Sequence, residues 1–167
     1  MINKYYYLVA SLPYLKLETA VPITREEFLS ECAKWLDGKS YQTLASIDAK
    51  EPGAKMNDNE VVKSWKAFDR DFRGELAKVR RAKREGARES IPMQLKDIFE
   101  EHTPLLMEKR IEEKRWDFLD EKEFGYHFDI YALSLYYLKL QILERLSAFN
   151  KERGGKAFEE LCEVRYE

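Results

Sequence analysis

Apolar positions crowd toward the end of this chain. From Ile130 to Leu146, 12 of 17 residues are apolar, broken only by Ser134, Lys139, Gln141, Glu144 and Arg145. A helix that is apolar around most of its circumference has to be enclosed by other helices. The segment therefore predicts an all-α fold: a single-domain helical bundle over residues 1–167, about six helices around a central apolar C-terminal helix. Gly125 allows a bend before that helix, and Gly154-Gly155 is read as its end.

The remaining elements read from periodicity and punctuation. Thr24-Arg25-Glu26-Glu27 is a capping box opening a helix with Phe28, Leu29, Cys32 and Leu36 on one face, and Gly38 is read as its C-terminal stop. Tyr41 to Ala49 reads as a short helix, and Glu51-Pro52-Gly53 as a turn. A long helix starts near Asp58 or Asn59. Val61, Trp65, Phe68, Phe72, Leu76 and Val79 give it an apolar stripe at spacings of three and four. Gly86 and Ser90-Ile91-Pro92 end it, and Met93 to Glu101 forms a short helix. Thr103-Pro104 opens another, with Thr as N-cap and Pro at the first position. That helix runs to about Glu123 and is mostly charged, with Met107, Ile111, Phe118 and Leu119 as a narrow apolar edge. A short last helix, Lys156 to Val164, turns Phe158, Leu161 and Cys162 inward. Tyr5 to Val9 stays open: its aromatic and β-branched residues suit a strand, but the same run could begin a buried helix. Pro13 ends it either way.

Composition narrows the function classes. The chain is 44% hydrophobic and 36% charged, against roughly 25% charged in an average domain. The 29 basic and 31 acidic residues leave a net charge of −2, so no global field favours nucleic acid or an acidic membrane. Asp129, Lys139, Glu144 and Arg145 make the apolar segment a poor membrane span. No basic-then-aliphatic leader opens the chain. Cys32 and Cys162, a lone distant pair, read as reduced thiols, with a disulfide as the alternative. The expectation is a cytoplasmic protein.

Candidate chemistry is sparse. Phe99 and Phe124 stand three residues before His102 and His127, so no Glu-x-x-His pair is present for a di-metal bundle. His127 reads as a helix-start or packing residue paired with Glu123. A deep polar pocket joining it to Glu123 or Asp129 would instead signal an enzyme. No Gly-x-Ser-x-Gly elbow occurs, and Gly154-Gly155-Lys156 lacks the spacing of a phosphate loop. No cofactor and no metal site is expected. The strongest local signal is the basic run Lys78, Arg80, Arg81, Lys83, Arg84 and Arg88, set against Glu85 alone. It reads equally as an anchor for phosphates or an acidic protein surface, or as a solvated helix end favoured by the helix dipole. The acidic helix Glu108 to Glu123 could pair with it internally. The run has no interleaved aromatics, which argues against nucleic acid. Tyr5, Tyr6, Tyr7, Tyr131, Tyr136 and Tyr137 read as core, while a surplus of aromatics would mark a partner surface. Trp116, about 140° around its helix from Ile111, is the expected exposed one.

Four stretches carry a resemblance: Lys4-Tyr5-Tyr6-Tyr7-Leu8-Val9-Ala10-Ser11-Leu12-Pro13, Trp65-Lys66-Ala67-Phe68-Asp69, Arg115-Trp116-Asp117-Phe118-Leu119, and Leu138-Lys139-Leu140-Gln141-Ile142-Leu143-Glu144-Arg145. In these the chain resembles a family of small uncharacterised bacterial proteins encoded among the subunits of V/A-type (vacuolar-type) rotary ATPases. More loosely, its Tyr-rich opening stretch and its closing helix are similar to the all-helical socket that joins the membrane rotor ring to the central axle in archaeal-type and vacuolar ATPases. The resemblance implies a non-catalytic accessory, stalk or assembly subunit whose partners are V/A-type ATPase subunits. It also favours helix over strand for Tyr5 to Val9. The alternative is a stand-alone helical binding module for a protein, a small ligand or nucleic acid.

Overall fold

A computed structural model describes residues 4–17, 19–86, 90–149 and 154. Among them lie seven α-helices, one 3-10 turn and no strand. The helices are α1 Lys4–Ser11, α2 Arg25–Trp35, α3 Gly38–Ala45, α4 Glu60–Glu85, α5 Lys96–Glu100, α6 Pro104–Glu123 and α7 Ile130–Ser147. The 3-10 turn, Met93–Leu95, leads directly into α5.

The apolar segment is the hub of one all-α domain. α7 packs against α1, α2, α3, α4 and α6, and it buries Leu133, Leu135, Leu138, Leu140 and Leu143 almost completely. The main core joins these to Leu8, Phe28, Leu44, Val62, Trp65 and Leu119. A smaller core, built on Phe72, Leu76, Leu95, Ile98 and Ile111, glues the far half of α4 to α5 and α6. Among the described residues no helix is long and apolar enough to cross a membrane.

Tyr5 to Val9 is helical. Leu8 is fully buried, and Tyr5, Val9 and Leu12 pack beside it, which is the spacing of one helix face. The capping box at Thr24 forms as expected, with both reciprocal bonds present. Asn59 caps α4 by accepting from the Val62 N–H, and its amide donates to Ser134 of α7. Thr103 caps α6 in the same way through the Leu106 N–H. Gly86 ends α4 at φ 68, a left-handed backbone that glycine adopts without a Cβ penalty.

Three helix ends differ from expectation, and the first is that of α3, expected over Tyr41 to Ala49 but running Gly38–Ala45. Gly38 does not stop α2; it opens α3. Leu36 turns extended, and Asp37 accepts from the Ser40 N–H at 2.8 Å, so a local cap begins the next helix. α7 stops at Ser147, well before Gly154-Gly155, because the Ala148 and Phe149 N–H groups tighten onto Arg145 and Leu146. The final helix expected over Lys156 to Val164, including Cys162, lies outside the described residues.

Cys32 is fully buried, and that burial pushes its thiol up to about 12 from 9.0. The Tyr136 phenol is raised by burial too. In the unfolded chain these protons leave nearer their ordinary values, so above pH 9 the unfolded state binds fewer protons than the native one. Their stabilisation is complete below about pH 9 and is lost as pH rises toward 12. Urea unfolding across this range should show falling stability with a shallower slope in Cys32→Ala; identical slopes would refute the assignment.

Candidate functional site

The site begins with charges placed where the helical pattern calls for apolar residues. On α4, Asp69 occupies the buried face between Trp65 and Phe72, and it is 3% exposed. On α6, Glu112 and Arg115 are buried at 1% and 6%. A buried charge is tolerated only when paired and hydrogen-bonded, and here the pairing is dense. Arg115 donates from Nε and Nη2 to Asp69 Oδ1, both at 2.8 Å, and from Nη1 to Glu112 Oε1 at 2.7 Å. Arg73 Nε sits 2.6 Å from the other Asp69 oxygen. From α7, Arg145 reaches Glu112 at 3.2 Å and Glu108 at 3.1 Å. Arg80 closes the chain on Glu108 at 3.7 Å.

This lattice fixes the walls of two adjoining spaces. One is a cavity of about 380 Å³ between α4, α6, α7 and the loop after α3; Trp65, Arg73, Arg115, Arg145 and Lys50 line it. The other is a broader groove of about 930 Å³. Lys50, Arg73, Arg115 and Arg145 belong to both, so the spaces share a cationic wall. Along the groove α4 adds Arg80, Arg81, Lys83 and Arg84, and Glu108 is the sole acid in its lining. Phe99, Met107 and Ile111 supply an apolar floor, and Lys83 Nζ stands 4.7 Å above the Phe99 ring. Arg81, Arg84 and Lys50 make no ion pair among the described residues, leaving their charge open to a ligand.

Of the basic run, Arg80, Arg81, Lys83 and Arg84 thus converge on the groove. Lys78 is exposed on α4 outside its lining, and Arg88 lies outside the described residues. The expected internal pairing with α6 occurs at one point, Arg80 with Glu108.

Trp116 corrects the sequence reading. It is buried at 6%, with the Lys139 ammonium 5.2 Å over its ring. The buried stripe of α6 runs through Ile111, Glu112, Arg115, Trp116 and Leu119, so the face is centred near Arg115 and Trp116 is inside it. The exposed aromatics lie elsewhere. Tyr7 stacks on Trp35 at 6.1 Å and Tyr6 meets Phe128 at 4.8 Å, all four being 41–50% exposed.

Glu123 is not paired with His127; it binds the buried Lys139, together with Asp120. Asp129 accepts from the Ala132 N–H as the cap of α7. His127 is exposed, and it shares with Glu123, but not with Asp129, a pocket of about 420 Å³ whose other walls are mostly apolar, Val9, Leu12, Leu133 and Tyr136 among them. No group of three or more His, Cys, Asp and Glu is placed to hold a metal among the described residues.

Lys50, Trp65, Arg73, Arg115 and Arg145 are the site residues that sequence reading missed. Their signal was present in part: Asp69, Glu112 and Arg115 are charges on an apolar face. Lys50 and Arg145 gave none, because only the tertiary packing brings them together.

Residues 90–165 match a protein family described as "Protein of unknown function (DUF2764)". That segment contains α6 and α7, and with them Glu108, Glu112, Arg115 and Arg145; Asp69 and Arg73 on α4 precede it. No curated protein matches the chain, and no solved structure does.

Proposed function

We propose that the chain is a non-catalytic accessory, stalk or assembly subunit of a V/A-type rotary ATPase, and that it docks its basic groove onto an acidic face of a neighbouring subunit. The groove carries the reading: among the described residues its lining holds eight cations and one acid, and four of the eight, Lys50, Arg81, Lys83 and Arg84, pair with no described carboxylate, in a chain whose net charge is −2. Segregation of that kind favours an anionic partner through complementary fields. The buried carboxylates beneath hold the arginines in fixed positions, which lowers the ordering cost of binding. The choice of partner rests on the resemblance of the four stretches to proteins encoded among ATPase subunits. In this role the protein works in the cytoplasm, at the membrane periphery through the complex, without a catalytic group of its own. A second reading, a stand-alone binding module, draws on the cavity beside the groove.

The test is recovery of the tagged protein from its native cells under conditions where the ATPase is expressed. ATPase subunits should accompany the wild-type protein and be lost with Arg81→Glu/Arg84→Glu. Both residues are exposed, so the double variant should keep its fold, which circular dichroism checks. Recovery of the wild-type protein without those subunits would sink the proposal.

A further inference from the structure

The groove beside α4 selects for more than charge. Its lining differs from one side to the other. α4 brings Arg81, Lys83 and Arg84, which pair with no described carboxylate. Glu108, the one acid of the lining, is already held by Arg145 and Arg80. α5 and α6 bring Phe99 and Met107. Both are half-buried: one side of each packs on the smaller core, and the other faces the groove. Lys83 Nζ, 4.7 Å from the centre of the Phe99 ring, joins the two characters at one point.

The walls also limit the backbone form of an occupant. α4 and α6 are helices whose N–H and C=O groups bond within themselves, so the groove offers no strand edge for an extended segment to pair with. An extended occupant would carry unpaired backbone groups into a partly apolar space, at a free-energy cost for each. A helix satisfies its own. The lining of α4 runs from Arg73 to Arg84, about 16 Å at 1.5 Å per residue, or about three helical turns.

Resting on the docking role proposed above, we infer that the groove takes an acidic amphipathic helix of about three turns from the partner protein. Apolar residues of that helix at i, i+3, i+4 and i+7 lie on Phe99 and Met107, and acids on the flank toward α4 meet Arg81, Lys83 and Arg84. Met107, flexible and unbranched, accommodates apolar side chains of differing shape. An anionic lipid surface matches less well, because a flat array of headgroups reaches the rim of a concave space and not its floor.

Fluorescence anisotropy of labelled peptides with the full chain tests this. One probe is a stapled helical peptide of about three turns with Leu at i, i+3, i+4 and i+7 and Glu elsewhere. Its control is a stapled isomer of the same composition, reordered so that no apolar face forms. Phosphatidylserine–phosphatidylcholine vesicles are the third probe. The amphipathic peptide should bind at one per chain, about tenfold or more tighter than its isomer, with affinity falling as salt rises. Arg81→Glu/Arg84→Glu should weaken it about tenfold or more, and Met107→Gln severalfold. Circular dichroism checks the fold of each variant, and the isomer comparison needs no variant at all. Equal binding of the isomer, unchanged binding in both folded variants, capture by vesicles in preference to the peptide, or no binding at millimolar peptide overturns the inference. Its failure is separable from that of the docking proposal. ATPase recovery that depends on Arg81 and Arg84, with no preference for the amphipathic peptide, sinks the helix alone. The preference without ATPase recovery sinks the identity of the partner and leaves a helix-binding groove.

Discussion

Phe28→Ala is expected to destabilise the protein by about 3–5 kcal/mol, the range for emptying a fully buried aromatic site. At roughly 2–4 °C per kcal/mol for a chain of this size, the midpoint of thermal unfolding should drop by on the order of 10 °C. Phe28 is completely buried and lies nearly parallel to two rings of α7, Tyr136 at 5.2 Å and Tyr137 at 5.3 Å. It is the main plug between α2 and the hub helix, so truncation removes two aromatic contacts and leaves a void that rigid neighbours cannot fill. Phe28→Leu, which preserves much of the volume, should lose distinctly less. Urea unfolding of the three proteins decides it. A loss below about 1 kcal/mol for the alanine variant would mean that α2 is not anchored there.

Arg115→Met should be nearly as costly, at about 3–5 kcal/mol, but for an electrostatic reason. It deletes the cation shared by two buried carboxylates, and breaking one side of a buried ion pair strands the other charge away from water. Asp69 keeps Arg73 and Glu112 keeps Arg145, yet those arginines are 40% and 35% exposed and cannot replace a partner at 7%. The contrasting variant is the triple change Asp69→Leu/Glu112→Met/Arg115→Met. It removes every fully buried charge of the lattice at once and should recover most of the lost stability, because apolar replacements of a buried ionic cluster are often neutral or better. If Arg115→Met alone is as stable as the wild type, the lattice is not what joins α4 to α6.

Helix starts were legible in the sequence because a cap is a local device. Thr24, Asn59 and Thr103 each bond an N–H three residues on, and their side chains announce it. The hub helix was legible for a related reason, since its composition allows no exposed face. Helix ends were harder. Gly38 carries the residue type of a stop, but the Asp37 cap beside it made it a first turn. The inward face of α6 was hardest. Read by apolarity, the edge runs through Met107, Ile111, Phe118 and Leu119; the packed stripe includes Glu112 and Arg115 because Asp69 and Arg145 come from other helices to meet them. The basic run of α4 showed half of the candidate site. The other half, Lys50, Trp65 and Arg145, is a property of packing that no single stretch encodes.

The groove also shapes how the molecule approaches anything else. With so much positive charge on one side of a slightly acidic protein, the rest of the surface must be electronegative, and the particle behaves as a dipole in solution. An anionic body would be drawn in and rotated to face the groove before contact, raising the encounter rate at low ionic strength. Two copies of this chain would tend to meet groove to back, so weak self-association that dissolves on adding salt is the expected side effect of this asymmetry.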